Sequence, residues 1–184
     1  AMDFWASLEH DIRYKKDRSK LPAGLNEEML ACGDEIAAID RAGEAEVNLV
    51  ISSVGLPVAK FLRERFGMPY VVGAPLGDTV SALLLGALKK SIHTGENEIL
   101  PAGTPDAPDT VILGESVTSR SLAAALLLDY GLCAEVICPV ELPRELEGSF
   151  CRQIEDEQDL QAALSGARRV IADPLFAPIV PQGA

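Results

Sequence analysis

Three times along the chain an amphipathic run ends at a glycine and a short apolar, often β-branched run follows within a few residues. Residues 61–66 lead through Gly67 to Pro69-Tyr70-Val71-Val72, and residues 122–130 lead through Gly131 to Ala134-Glu135-Val136-Ile137. Residues 160–164 lead past Gly166 to Arg169-Val170-Ile171-Ala172. Glycine at such a stop takes the left-handed conformation that closes a helix without a Cβ clash. Helix and strand therefore alternate. The strands read as nearly continuous apolar runs, as expected of strands covered on both faces in a parallel sheet. The pattern predicts a doubly wound α/β architecture. It consists of two Rossmann-like parallel-sheet units with helices on both faces, joined by a long helix and a Pro/Gly-rich connection.

In chain order the pattern predicts a polar helix over 3–16, a break at Pro22-Ala23-Gly24 and a helix over 26–42. A strand over 47–52, a helix over 57–66, a strand over 70–72 and a long helix over 78–93 follow. The long helix carries Val80, Leu83, Leu84, Ala87 and Leu88 on one stripe. Gly95, Pro101, Gly103, Pro105 and Pro108 then crowd into one stretch, which reads as a linker over 94–108. It divides a first Rossmann-like unit with a helical lead, 1–93, from a second, 109–184. The second unit is expected to hold strands over 110–113, 134–138, 150–154 and 169–172, with helices over 116–130 and 157–164.

Composition narrows the classes. With 184 residues, 48% hydrophobic and 24% charged, the chain can build a real core, and disorder is excluded. The formal charge of -12 repels phosphate backbones, which argues against a nucleic-acid partner. The longest apolar stretches, 80–88 and 121–128, fall far short of a bilayer span, and no basic-then-apolar leader opens the chain. A cytoplasmic protein without a membrane partner is expected. An alanine stands before the first plausible initiator, Met2, and the tail after Ala177 closes on no element, which reads as a piece of a longer protein.

In open parallel sheets ligands bind beyond the carboxyl ends of the strands, where helix N-termini present free amides. Four loops qualify: Ser52-Ser53-Val54-Gly55, residues 73–79 with Gly77, residues 114–120, and Asp173-Pro174-Leu175. The plain alternative is that Ser53, Asp78 and Ser116 are helix caps and the glycines permit tight turns. The 114–120 loop stands out, because Gly114, Glu115, Ser116, Ser119 and Arg120 gather hydroxyls, a carboxylate and a guanidinium within one strand-to-helix turn. The candidate binding residues are thus Ser53, Gly55, Gly77, Gly114, Glu115, Ser116 and Ser119, acting by close backbone approach and hydrogen bonding. No catalytic residue and no metal ligand is assigned.

Other chemistry has little support. No two glycines are one residue apart, so the dinucleotide fingerprint is absent, and no P-loop occurs. The two histidines, His10 and His93, read as surface residues. Cys133 and Cys138 sit at an odd offset on one expected strand, which points them to opposite faces, and Cys32 and Cys151 stand alone in sequence. Buried reduced thiols are the expectation. The acidic run 155–159 reads as a solvated helix start, and the basic cluster from Arg13 to Lys20 as a charged, solvated lead.

One passage carries a family resemblance. It runs Ile39-Asp40-Arg41-Ala42-Gly43-Glu44-Ala45-Glu46-Val47-Asn48-Leu49-Val50-Ile51-Ser52-Ser53-Val54-Gly55-Leu56, then Phe61-Leu62-Arg63-Glu64-Arg65-Phe66-Gly67-Met68-Pro69-Tyr70, then Gly73-Ala74-Pro75-Leu76-Gly77. With Val111-Ile112-Leu113-Gly114-Glu115 and Val170-Ile171-Ala172-Asp173-Pro174, it resembles the nitrogenase component 1 type oxidoreductase family. That family includes nitrogenase proper, scaffolds that mature its cofactor, and light-independent tetrapyrrole reductases. The resemblance implies a homologous partner subunit, an ATP-dependent electron-donor reductase, and an iron-sulfur or other metal cluster in the full assembly. The family's cluster cysteines lie in an N-terminal domain with no matching set in these residues, so no cluster is expected on the isolated fragment.

The expected function follows. The chain is a fragment of such an oxidoreductase subunit, lending its strand-end loops to a pocket for a metal cluster or a tetrapyrrole. The alternative is a non-catalytic scaffold or binding domain for a metal cofactor. A sugar or nucleotide enzyme such as a glycosyltransferase shares the architecture as a third possibility.

Overall fold

The computed structural model describes residues 44–101, 108–148 and 150–180. The helices expected over 3–16 and 26–42, with His10, Cys32 and the basic lead, lie outside them. Val47–Ala184 forms one compact unit. It contains two all-parallel sheets flanked by helices, as expected of Rossmann-like units.

The first sheet has the order β1-β2-β3, built from β1 (Asn48–Val50), β2 (Tyr70–Val72) and β3 (Glu98–Ile99). Helix α1 (Leu56–Phe66) joins β1 to β2, and α2 (Asp78–Thr94) joins β2 to β3. The second sheet has the order β6-β5-β4-β7, built from β4 (Thr110–Leu113), β5 (Ala134–Cys138), β6 (Cys151–Gln153) and β7 (Arg169–Ala172). Helix α3 (Ser116–Tyr130) joins β4 to β5, and α4 (Glu157–Leu164) joins β6 to β7. β3 falls inside the stretch read from sequence as a linker. Two residues are too few for a periodic pattern, and the strand exists through its pairing of Val71 with Glu98 and Val72 with Ile99. The Asn97 side chain accepts a hydrogen bond from Tyr70 N and fixes where that pairing starts.

Helix α1 starts with Pro57 in its first turn, where the missing N–H costs nothing, and stops at Gly67 in the left-handed region at φ 72°. Gly131 ends α3 the same way at φ 68°. Gly166 does not follow the pattern. Helix α4 closes at Ser165 in right-handed geometry, and Gly166 is absent from the positive-φ glycines. An eight-residue helix simply unwinds through a short turn there. No atom lies within 4 Å of a Cβ built on Gly131, so Gly131→Ala pays only the backbone term. We expect it to lower stability by about 1 kcal/mol in urea unfolding.

Burial explains which faces pack. Helix α2 buries Val80, Leu84, Leu88 and Ser91, whereas Leu83 of the expected stripe is 45% exposed. The stripe is therefore narrower than the sequence pattern, because α2 meets one sheet face and one neighbouring helix. Helix α3 differs: Ser116, Val117, Ser119, Ser121, Ala123, Ala124 and Ala125 are all buried. Small side chains on several sides let β4, β5 and α2 approach it closely. One apolar cluster runs from Val50 and Val72 of the first sheet and Leu56 of α1 to Val117 of α3 and Val136, Cys138 and Cys151 of the second sheet, so the two sheets share a core. β7 is an edge strand that alternates. Val170 and Ala172 pack with α4 residues, while Ile171 is 39% exposed.

Candidate functional site

The site forms where the carboxyl ends of β1 and β4 meet the first turn of α3. Past β4 the chain turns through Gly114, and Glu115 becomes the N-cap of α3 in extended geometry. Its carboxylate accepts from Val117 N at 3.0 Å and Thr118 N at 3.0 Å, the donors that a helix start leaves free. The same carboxylate accepts from Ser53 N at 2.6 Å, across from the turn after β1. The Ser116 hydroxyl is 3.4 Å from it, and the Thr118 hydroxyl donates to Ile51 O at 3.4 Å. One side chain thus caps its own helix and holds the exit of another strand.

Burial by itself pushes the Glu115 carboxyl up, but the amides of Thr118, Val117 and Ser53 outweigh it and hold the group below its ordinary value of 4.5. The group is ionised and committed. An anion approaching this helix terminus meets amides already taken by a carboxylate, so the terminus is not an open anion cradle.

The caps differ from those expected. Glu115, not Ser116, caps α3; Gly55 precedes α1; and Gly77 precedes α2 with no side-chain cap of its own. Ser116 and Ser119 are buried behind the rim, and a Cβ on Gly114 would fall 2.8 Å from Ser119 Oγ. Close packing there requires a glycine. Ser53 and Gly55 lie in the 3-10 turn Ser53–Gly55 between β1 and α1, half-buried. The structure therefore brings Ser53, Gly55, Gly114 and Glu115 to one rim, with Ser116 and Ser119 buried beneath it.

Gly77 lies elsewhere. A Cβ there would meet Asp129 Oδ2 at 2.4 Å and Ala125 Cβ at 3.0 Å, and both residues belong to the far half of α3. At about 1.5 Å per residue that is about 14 Å or more along the helix from Ser116. Gly77 serves a second junction, where Asp129 accepts from Thr79 N at 3.3 Å and so caps α2 from outside. Midway between, Ser121 Oγ accepts from Ala74 N and donates to Val117 O, both at 2.8 Å. Helix α3 thus touches the exit of β1, the exit of β2 and the start of α2 through Glu115, Ser121 and Asp129. Sequence reasoning passed over Ser121 and Asp129. Their one signal is polarity inside a run of Ala and Leu.

Arg120 lines a narrow cleft with Val72, Gly73, Leu100, Ser121 and Leu146. The cleft has a volume of about 20 Å³, room for a water or two. The guanidinium is spent on backbone, with Nη1 2.8 Å from Leu146 O and Nη2 3.4 Å from Leu100 O.

Cys151, isolated in sequence, is brought beside Cys138 by the parallel pairing of β6 with β5. The Cys151 hydrogen bond and burial push the Cys138 thiol up. The Cys138 thiol and the Arg120 guanidinium, against burial, bring the Cys151 thiol down. Cys133 is half-buried, one residue before β5, and His93 is exposed in the last turn of α2.

Among the described residues no group of three or more His, Cys, Asp or Glu side chains is placed to hold a metal ion. The rim presents the half-buried Ser53, Gly55 and Gly114, with its helix-terminus amides taken by Glu115 and no thiolate or imidazole at Ser53, Gly55 or Gly114–Ser119. These residues do not fit as ligands of an iron-sulfur cluster. Among the described residues no helix is long and apolar enough to cross a membrane. Compared with protein families, with curated proteins and with solved structures, the chain matches none. The class the fold defines is α/β, with parallel sheets of three and four strands flanked by helices.

Proposed function

We propose that this chain is a module of a nitrogenase component 1 type oxidoreductase subunit, working in the cytoplasm beside a homologous subunit and an ATP-dependent electron-donor reductase. Its strand-end rim is one wall of a pocket for a metal cluster or tetrapyrrole-type molecule held in that assembly. The observation that carries this reading is the Glu115 carboxylate, which binds Ser53 N and the α3 terminus together and keeps the exits of β1 and β4 side by side. The resemblance of the 39–77 passage supplies the chemistry of the ligand.

A second reading, a non-catalytic cofactor scaffold, is favoured by the same carboxylate. A carboxylate kept ionised and engaged by three amides is not a proton donor to a substrate near neutral pH, which supports a rim that contacts its ligand without acid catalysis by Glu115. Both readings put the ligand at one place. When the chain is mixed anaerobically with a metal-free, propionate-bearing porphyrin, amide exchange should slow in residues 51–56 and 114–120. Unchanged exchange there, or protection confined to the opposite side of the second sheet, contradicts the proposal.

A further inference from the structure

The pairing of β5 with β6 assembles a thiol pair that neither reading of the rim uses. Cys151 is opposite Val136, and Cys138 is two residues further along β5, so the three side chains share one sheet face. Cys138 is 0% and Cys151 1% exposed, in the apolar cluster that also holds Val117 and Leu146. Arg120 of α3, whose guanidinium donates to Leu146 O in the same cluster, favours the charged form of Cys151. Among the described residues no carboxylate forms an ion pair with Arg120.

The spacing decides what can join the sulfurs. Adjacent strands about 4.8 Å apart, rising about 3.3 Å per residue, set Cα atoms two residues out of step about 8 Å apart. A disulfide is out of reach beyond about 7 Å without backbone movement. Two metal–sulfur bonds of about 2.3 Å let sulfurs stand up to about 4.6 Å apart, so a bridging ion spans what an S–S bond cannot.

We propose that Cys138 and Cys151 form a two-thiolate site for a soft monovalent cation of the copper(I) class, with Arg120 as its neutralising charge. Thiolate sulfur selects soft ions, and zinc would require about four ligands where the described residues offer two. A monovalent ion between two thiolates carries one net negative charge, which the guanidinium cancels inside an apolar core. Glu115, the other charged group acting on the pair, opposes the anion and makes Arg120 the more necessary. Two sulfur–metal bonds form, the two S–H bonds break, and both thiol protons leave to solvent. The cleft lined by Arg120, Val117 and Leu146 leads to the same guanidinium.

The test uses the full chain carrying Cys32→Ser and Cys133→Ser, titrated anaerobically with copper(I) against a chromophoric chelator. We expect one ion per chain and two sulfur neighbours by X-ray absorption. Binding should release thiol protons, up to two per ion, and weaken as pH falls. Cys138→Ser or Cys151→Ser should each weaken binding by about 100-fold or more, and Arg120→Met by about 10-fold, with Arg120→Lys retaining most of it. No binding by the folded parent, a copper environment without two sulfurs, or unchanged affinity in either serine variant overturns the proposal. If the serine variants fail to fold, the parent's stoichiometry, sulfur count and proton release decide it.

Discussion

Glu115→Ala is expected to destabilise the folded chain by about 3 kcal/mol, read as a lower midpoint in urea with an unchanged slope. Loss of an N-cap accounts for about 1 kcal/mol, and loss of the charge-assisted bond from Ser53 N for about 2 kcal/mol more. Glu115→Gln keeps an acceptor for the amides but loses the charge, so it should fall between the two. The difference between wild type and Glu115→Gln depends on pH. The folded carboxyl is held below its ordinary value of 4.5. Its charge therefore stabilises the fold fully above that value, and this stabilisation is lost as pH falls through the lower, folded-state value. The two proteins should differ most near neutrality and converge in acid. A constant difference from pH 7 into acid would show that the charge has no part in it.

Gly77→Ala is expected to cost a similar amount, about 3 kcal/mol, for a different reason. At φ 71°, ψ 168° the backbone lies in a region open essentially to glycine, a strain of about 1–3 kcal/mol for any other residue. The new Cβ also collides with the Asp129 carboxylate and with Ala125, disturbing the external cap on Thr79 N. Asp129→Ala removes the nearer obstacle and the cap together. The double variant should then be less destabilised than the sum of the two single ones, a coupling measurable by urea unfolding of all four proteins. Strict additivity would mean that the two residues do not meet.

The alternation of helix and strand was legible in the sequence because long elements carry their own periodicity. The helix over 116–130 and the strands over 70–72, 110–113, 134–138 and 169–172 have the bounds the pattern predicts. Elements defined by partners were not legible. β3 is two residues long and exists through β2, and the turn at Pro174–Ile179 has no periodic pattern at all. The site divides the same way. The cluster at Gly114 to Ser119 can be picked out because its polar residues adjoin in sequence, but the partner of Glu115 is 62 residues away, and the donor is a main-chain amide whose residue type says nothing. Gly77 resembles the rim glycines in sequence because it follows a strand, yet the loop after that strand runs from Ser121 on to the far half of α3. Cys138 and Cys151 are linked by strand register, a tertiary fact that cysteine spacing cannot reveal.

Residue-resolved amide exchange in wild type and Glu115→Ala tests most directly whether one carboxylate holds the exits of β1 and β4 together, with the buried Ile137 amide as internal reference. Relative to Ile137, the amides of Ser53, Val117 and Thr118 should all exchange faster in the variant. Faster exchange at Val117 and Thr118 with Ser53 unchanged would reduce Glu115 to an ordinary helix cap and leave the two strand exits without their link.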